Sequence, residues 1–195
     1  MREEKFKQLF NFFVEQNSIN LKKGIVPYKR TGDNIWGVSS LQSWFRFFLE
    51  IELQKCNHVL DLGSGDGRVV FLASLFTQAT GVEVDSELVE KSKLFQSTLE
   101  AQNILSPNTT KFVPEDYANI DFSLFDCLCI FPDKPFSAEL ENKIRKEFKG
   151  LLLVYENIYL PTTLGEGIHL LYDMPLSVYN LQKEALNFSR VVPKI

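Results

Sequence analysis

Residues 59–69 read VLDLGSGDGRV: an apolar run containing Asp61, glycines at every second position (63, 65 and 67), then Arg68. Glycine permits positive φ and close approach of a ligand to the backbone, and a helix that follows presents a partly positive end. A dinucleotide site spaces its glycines G-x-G-x-x-G and seats a pyrophosphate on that end. Here the spacing is G-x-G-x-G, and an aspartate at the strand end would repel a pyrophosphate and attract an ammonium group. The ligand implied joins a nucleoside to an amino acid. More acids follow at the ends of later apolar runs: Glu83 in GVEVD, Asp116 in PEDY, Asp133 in IFPDKPF and Glu156 in YENIY.

Those acids need elements to hold them. From Asn57 the chain alternates: HVLDL, ATGVEV, TKFVPEDY, FDCLCIF and GLLLVYEN read as strands. Helices are predicted between them over 67–77, over 86–103 with Ser86 as cap, and over 137–148. Apolar strands alternating with helices mean a parallel sheet covered on both faces. IHLLYDM and LSVYNLQKE, separated by Pro175 with no helix between, suit an antiparallel pair closing one edge of the sheet. Ahead of this core, Phe6, Leu9, Phe10, Phe13 and Val14 mark an amphipathic helix over 2–18. Ser39 and Ser40 can cap a second helix over 39–54, with Leu41, Trp44, Phe45, Phe48 and Leu49 as its buried stripe. Residues 20–38, with Gly24, Pro27, Gly32 and Gly37 and no clean period, read as a long loop of the kind that forms lids. The expected organisation is one domain over 1–195, a helical and lid extension (1–56) on an α/β core (57–195).

Composition bounds the function. The 195 residues are 45% apolar and 13% aromatic, with 17 Phe, enough for a sizeable core. No apolar run approaches the roughly 18 residues that would span a bilayer, and the N-terminus lacks a signal-peptide shape. Cys56, Cys127 and Cys129 are an odd, sparse set, which fits core thiols in a reducing compartment; a soluble, cytoplasmic protein is expected. The net charge of −4 argues against a protein built to hold nucleic acid. The charge is uneven: Arg2, Lys5, Lys7, Lys22, Lys23, Lys29 and Arg30 against Glu3, Glu4 and Glu15 leave the first thirty residues at +4. That basic edge reads as a solvated face, or as a docking edge for an acidic partner.

VLDLGSGDGR resembles the first motif of class I S-adenosylmethionine-dependent methyltransferases, and the likeness runs on over about residues 57–156. It implies a Rossmann-like, doubly wound, mostly parallel sheet with an antiparallel C-terminal hairpin, flanking helices and an N-terminal helical extension. It also implies S-adenosyl-L-methionine as cofactor. In that family the acid matching Glu83 holds both ribose hydroxyls. The acid matching Asp116 meets the adenine amine, with the backbone N–H of Tyr117 on the ring, and Phe131 stands near the ligand edge. Asp61, Gly63, Ser64, Gly65 and Val84 complete the expected cofactor set. Asp66 and Arg68 read as first-turn helix residues without a chemical role.

Methyl transfer from a sulfonium is an in-line substitution, so holding the nucleophile in line and excluding water supply much of the catalysis. No metal is expected, and His58 and His169 read as structural. Acceptor contacts belong at the tails of the fourth and fifth strands, with Asp133 first and Glu156 second as candidate catalytic residues. Tyr28, Trp36 and Tyr159 are candidate channel aromatics. IFPDKPF lacks the Asn/Asp-Pro-Pro-aromatic motif of adenine amino-methylating enzymes. VPY followed by DLGSGDGRVV and GVEV resembles instead the small protein-lysine methyltransferases of mitochondrial carriers and ATP synthase subunits, although the threonine expected after the aromatic is displaced to Thr31. The acceptor expected is a protein lysine or a small-molecule amine; the alternatives are an RNA methyltransferase or a catalytically silent, cofactor-binding scaffold that docks partners.

Overall fold

The computed structural model describes residues 2–26, 28–31, 34–155 and 158–182, with the backbone alone over 28–31 and 34–36. The chain begins with α1 (Arg2–Lys22), then a hairpin of β1 (Tyr28–Thr31) and β2 (Asn34–Gly37), then α2 (Leu41–Glu50). Next come β3 (His58–Leu62), α3 (Arg68–Ala73), β4 (Gln78–Glu83), α4 (Ser86–Ala101) and β5 (Thr110–Pro114). After these lie β6 (Cys127–Ile130), α5 (Ala138–Glu147), β7 (Leu151–Tyr155), β8 (Ile168–Leu171) and β9 (Pro175–Asn180).

Seven strands form one sheet in the order β5-β4-β3-β6-β7-β9-β8. β3 to β7 are parallel, while β9 runs antiparallel to β7 and to β8, so the final hairpin closes one edge as expected. The strand order reverses at β3: β4 and β5 extend one way, β6 and β7 the other. Ligands of open α/β sheets bind outside the carboxyl ends of the strands at such a switch point. Alternation along the strands sends Val59, Cys127, Cys129, Leu151 and Leu153 to the face covered by α1, α2, α3 and α4. Leu60, Leu62, Leu128, Ile130 and Leu152 go to the opposite face, under Leu140 and Ile144 of α5.

Local chemistry departs from expectation in four places. The segment 20–38 is not a structureless loop. Helix α1 runs on to Lys22 and stops at Gly24 (φ 73°). There Ile25 N–H donates to the Asn20 carbonyl at 2.9 Å, a Schellman closure, before the β1–β2 hairpin begins. Helix α2 takes Ser40 as its cap but ends at Glu50, short of residue 54. Helix α3 is six residues long because its last turns tighten, with Leu75 and Phe76 N–H donating three residues back. Helix α4 is capped by Asp85, not Ser86: Asp85 Oδ1 accepts from Glu87 and Leu88 N–H at 2.9 and 3.3 Å. Burying Leu9, Phe12 and Phe13 anchors α1 on this frame, each worth about 1.5–3 kcal/mol.

Candidate functional site

The turn after β3 supplies the first wall of the site. Gly63, Gly65 and Gly67 all have positive φ (77°, 55° and 79°), and Gly63 and Ser64 N–H both donate to the Val82 carbonyl at 2.9 and 3.0 Å. The glycines serve different ends. A Cβ on Gly63 would point into open space, whereas one on Gly67 would meet the Phe112 ring at 2.7 Å and Phe71 at 3.0 Å. Gly63 leaves room for a ligand, and Gly67 lets the turn pack on the core.

Glu83, at the end of β4 and buried, braces this turn. Its Oε2 accepts from Gly65 N–H at 3.0 Å and its Oε1 from Asp85 N–H at 2.9 Å. The Ser92 hydroxyl of α4 donates to the Gly65 carbonyl at 3.2 Å. Asp116 caps the short turn 117–119 through Oδ1, which accepts from Ala118 N–H at 2.8 Å.

Two cavities of about 270 Å³ each open along this wall. The first lies between the ends of β3, β4 and β6, with Glu83, Val84, Asp116 and Tyr117 on one side and Ile130, Phe136 and Leu140 on the other. Burial, then the charges of Asp116 and Asp133, push the Tyr117 phenol above its ordinary pKa. The second lies between the glycine turn and the start of α2, lined by Asp61, Ser64, Asp66, Arg68, Ser39 and Trp44. Gly63, Phe131 and Asp133 line both, so the cavities meet at these three residues.

The second cavity is charged, and Asp61, Ser64, Asp66 and Arg68 on its wall are buried. Arg68 and Asp66 form a bidentate pair with N–O distances of 2.9 and 2.6 Å, and the guanidinium carbon sits 4.9 Å from the Phe13 ring centroid of α1. Both residues line the cavity; Arg68 opens α3, as the sequence suggests, and Asp66 lies in the turn just before it. Burial, then the negative charges of Glu83 and Asp66, push Asp61 up to a pKa of about 8. Trp44 is 1% exposed, and its Nε1–H has no hydrogen-bond partner among the described residues.

Aromatic packing fixes the far wall. Trp44 stacks on Tyr155 (centroids 5.4 Å apart, 18° between planes), and the Tyr155 hydroxyl accepts from Ser40 N–H at 2.9 Å. Phe131 meets Tyr155 edge-on at 4.9 Å and is 39% exposed at the junction.

Neither a protein-family model nor a curated protein matches the chain. Solved structures do match. An RNA methyltransferase from Salinibacter ruber in complex with S-adenosyl-L-homocysteine superposes with a TM-score of 0.63 at 15% identity, over 77% of this chain and 97% of that one. The fold is that of the class I methyltransferases. A putative methyltransferase, yhhF, from Escherichia coli agrees (TM-score 0.54, 15% identity, 73% and 84% covered). So does the Thermus thermophilus 16S rRNA N2 G1207 methyltransferase RsmC in complex with AdoMet and guanosine (0.56, 18%, 80% and 45%).

On this methyltransferase fold, every residue named for the cofactor set lines one of the two cavities, apart from Gly65, which Glu83 holds by its N–H. Asp133 stands at their junction. Glu156 lies outside the described residues, as do the side chains of Tyr28 and Trp36. Gly37, at the end of β2, lies on the second cavity beside Phe131, so the hairpin abuts the site. Both histidines bond to neighbouring hydroxyls, His58 Nε2 to Thr80 and His169 Nδ1 to Ser177, each at 2.8 Å. Among the described residues no group of His, Cys, Asp and Glu could hold a metal, and no helix is long and apolar enough to cross a membrane. The sequence reading missed Trp44 and Ser39 as site residues. The available signal was an indole in a stripe otherwise built of Phe and Leu.

Proposed function

We propose that the chain is an S-adenosylmethionine-dependent methyltransferase whose acceptor is an amine. The observation that carries the first half is the pair of cavities joined at Gly63, Phe131 and Asp133. The residues fit the cofactor. The first cavity offers apolar walls for adenine, Asp116 for its amine and the second lone pairs of Glu83 for the ribose hydroxyls. The second offers Asp61 for an ammonium group. The donor, when bound, supplies an electrophilic methyl on a sulfonium whose sulfur leaves with the bonding pair.

The protein's own contribution is placement. Glu83 fixes the glycine turn, the buried walls exclude water, and the junction defines where an incoming nucleophile must sit. An amine attacks only after losing a proton, and lysine's unperturbed pKa is about 10.4. Asp133, facing the junction from the tail of β6, accepts a hydrogen bond from the acceptor amine and takes that proton. The preference for an amine comes from the rim: among the described residues, Glu83, Glu115, Asp116 and Asp133 face the first cavity against Lys134 as the one cation. Such a field concentrates cations and repels phosphate backbones. The Val-Pro-aromatic and glycine motifs make a protein lysine one form of that amine.

An RNA base is the second reading. It is favoured by the half-exposed Phe131, a surface on which a base could stack, and by the activities named for two of the structural neighbours. A silent scaffold is the third. Incubating the protein with methyl-labelled donor and source-cell lysate tests all three. Label in protease-sensitive or small-molecule material supports the amine reading, label lost on nuclease treatment supports RNA, and no label at all supports the scaffold.

A further inference from the structure

The end of α1 and the hairpin that follows carry a surface opposite in sign to the chain as a whole. Residues 21–38 hold Lys22, Lys23, Lys29 and Arg30 against Asp33 as their one acid, in a protein of net charge −4. Leu21, Ile25 and Val26, interleaved with those cations, are 61%, 52% and 45% exposed, and Lys22 and Lys23 are exposed beside them. The helix closure gathers these residues. Gly24 N–H donates to the Leu21 carbonyl at 3.0 Å and Ile25 N–H to the Asn20 carbonyl at 2.9 Å, which folds the chain back on the last turn of α1. Exposed apolar groups gathered into one patch and rimmed by charge mark an interaction surface, whereas single ones do not. The negative end of a helix accounts for Lys22 and Lys23. It accounts neither for Lys29 and Arg30, which lie on β1, nor for three uncovered aliphatic residues.

This patch stands close to the site. Tyr28 opens β1 opposite Gly37, and antiparallel partners lie about 5 Å apart at Cα. Gly37 is on the second cavity, beside Phe131 at the junction. Val26 is two residues before Tyr28, at most about 7 Å of chain. The patch therefore begins within about 12 Å of Gly37, a span that about four extended residues cover. Two fields of opposite sign thus lie within one short peptide of each other: acids around the first cavity, and cations with aliphatics at the end of α1.

From this juxtaposition we propose that the edge formed by residues 21–30 docks the acceptor protein by an acidic, aliphatic stretch, about four to six residues along that chain from the lysine presented at the junction. The proposal rests on the amine reading above and narrows it to a lysine with acidic and aliphatic neighbours. The acids complement Lys22, Lys23 and the charge of β1, the aliphatics cover Leu21, Ile25 and Val26, and the lysine enters the acidic field at Asp133. A phosphate backbone would satisfy the cations but leave the aliphatics bare, because RNA is gripped through phosphates, hydroxyls and stacked bases.

The test measures, by fluorescence anisotropy, the binding of labelled synthetic peptides to the full-length chain saturated with S-adenosylhomocysteine. One peptide carries a single lysine and a Glu-Leu-Glu-Ile-Glu run about five residues away, placed on either side of the lysine in turn. The other has Gln for each Glu. The Glu peptide should bind at least about tenfold more tightly than the Gln peptide at low salt, with the gap narrowing as salt rises. Lys22→Glu combined with Lys23→Glu should erase that gap. Leu21→Ser combined with Ile25→Ser should weaken the Glu peptide by about tenfold. Both double variants should keep wild-type affinity for S-adenosylhomocysteine. Equal binding of the two peptides, or a gap that survives charge reversal, overturns the proposal. So does a single-stranded RNA oligonucleotide that binds more tightly than the Glu peptide and is lost on charge reversal, which makes the edge an RNA surface. A chain that takes S-adenosylhomocysteine and neither peptide overturns the docking surface and leaves the donor reading intact. Label confined to RNA in the lysate experiment removes the amine reading, and the proposal with it.

Discussion

Asp61 offers the sharpest prediction. It is 6% exposed, receives no hydrogen bond from the described residues, and faces Glu83 and Asp66. Burial first, then those two charges, raise its pKa from 3.8 to about 8. The folded state therefore keeps this proton where the unfolded chain has released it. Stability must then fall as pH rises between about 4 and 8 and level off above, with a limiting slope of about 1.4 kcal/mol per pH unit. Asp61→Asn removes the titration while nearly preserving shape. Over pH 5 to 8 the limiting slope would give about 4 kcal/mol, and relaxation around the charge reduces it, so a gain of about 2–4 kcal/mol relative to wild type is expected. Urea unfolding of both proteins at pH 5, 6, 7 and 8 measures it, and the same variant should lose affinity for S-adenosylhomocysteine. A stability difference that stays flat across the range refutes the reasoning, because Asp61 would then not be a charge strained in the fold.

Three further outcomes follow from individual contacts. Gly67→Ala forces a Cβ to 2.7 Å from Phe112 at φ 79° and should cost about 2–4 kcal/mol in urea unfolding, combining backbone strain with overpacking. Gly63→Ala, with open space beside it, should cost about 1 kcal/mol and mainly weaken ligand binding, as calorimetry would show. Burial pushes Glu141 up, but Thr162 and Thr163 each donate a backbone N–H and a hydroxyl to it, leaving its pKa below the ordinary value. The stability this contributes is present above the ordinary glutamate range and is lost as pH falls through the depressed value. Glu141→Gln should therefore cost about 1–3 kcal/mol at pH 7, with the gap to wild type closing on acidification in pH-stepped unfolding.

The glycine turn, the acid at the end of β4 and the closing hairpin were legible because each has a local signature: spacing, strand-end position, and two apolar runs without a helix between. The fate of residues 20–38 was not. Their glycines and proline suppress any periodicity, yet the antiparallel pairing Lys29↔Trp36 and Arg30↔Ile35 is a register between short strands that neither run announces alone. The Asp66–Arg68 pair escaped for another reason. Both residues look solvated at the start of a helix, whereas in the fold Phe13, arriving from α1, lies over the Arg68 guanidinium. Trp44 matched the α2 stripe so well that nothing in the sequence marked it as lining the second cavity. Ser86 lost the cap to Asp85 because the residue before it offers a carboxylate to two N–H groups at once.

The central claim is that the turn at residues 63–67 and Glu83 together hold a methyl donor. Titrating S-adenosylhomocysteine into the wild-type chain, Gly65→Arg and Glu83→Ala by calorimetry tests it most directly. The account predicts saturable one-to-one binding to the wild type and none to either variant, with all three folded by circular dichroism. Absence of binding to a folded wild-type chain, or undiminished binding to both variants, would contradict it.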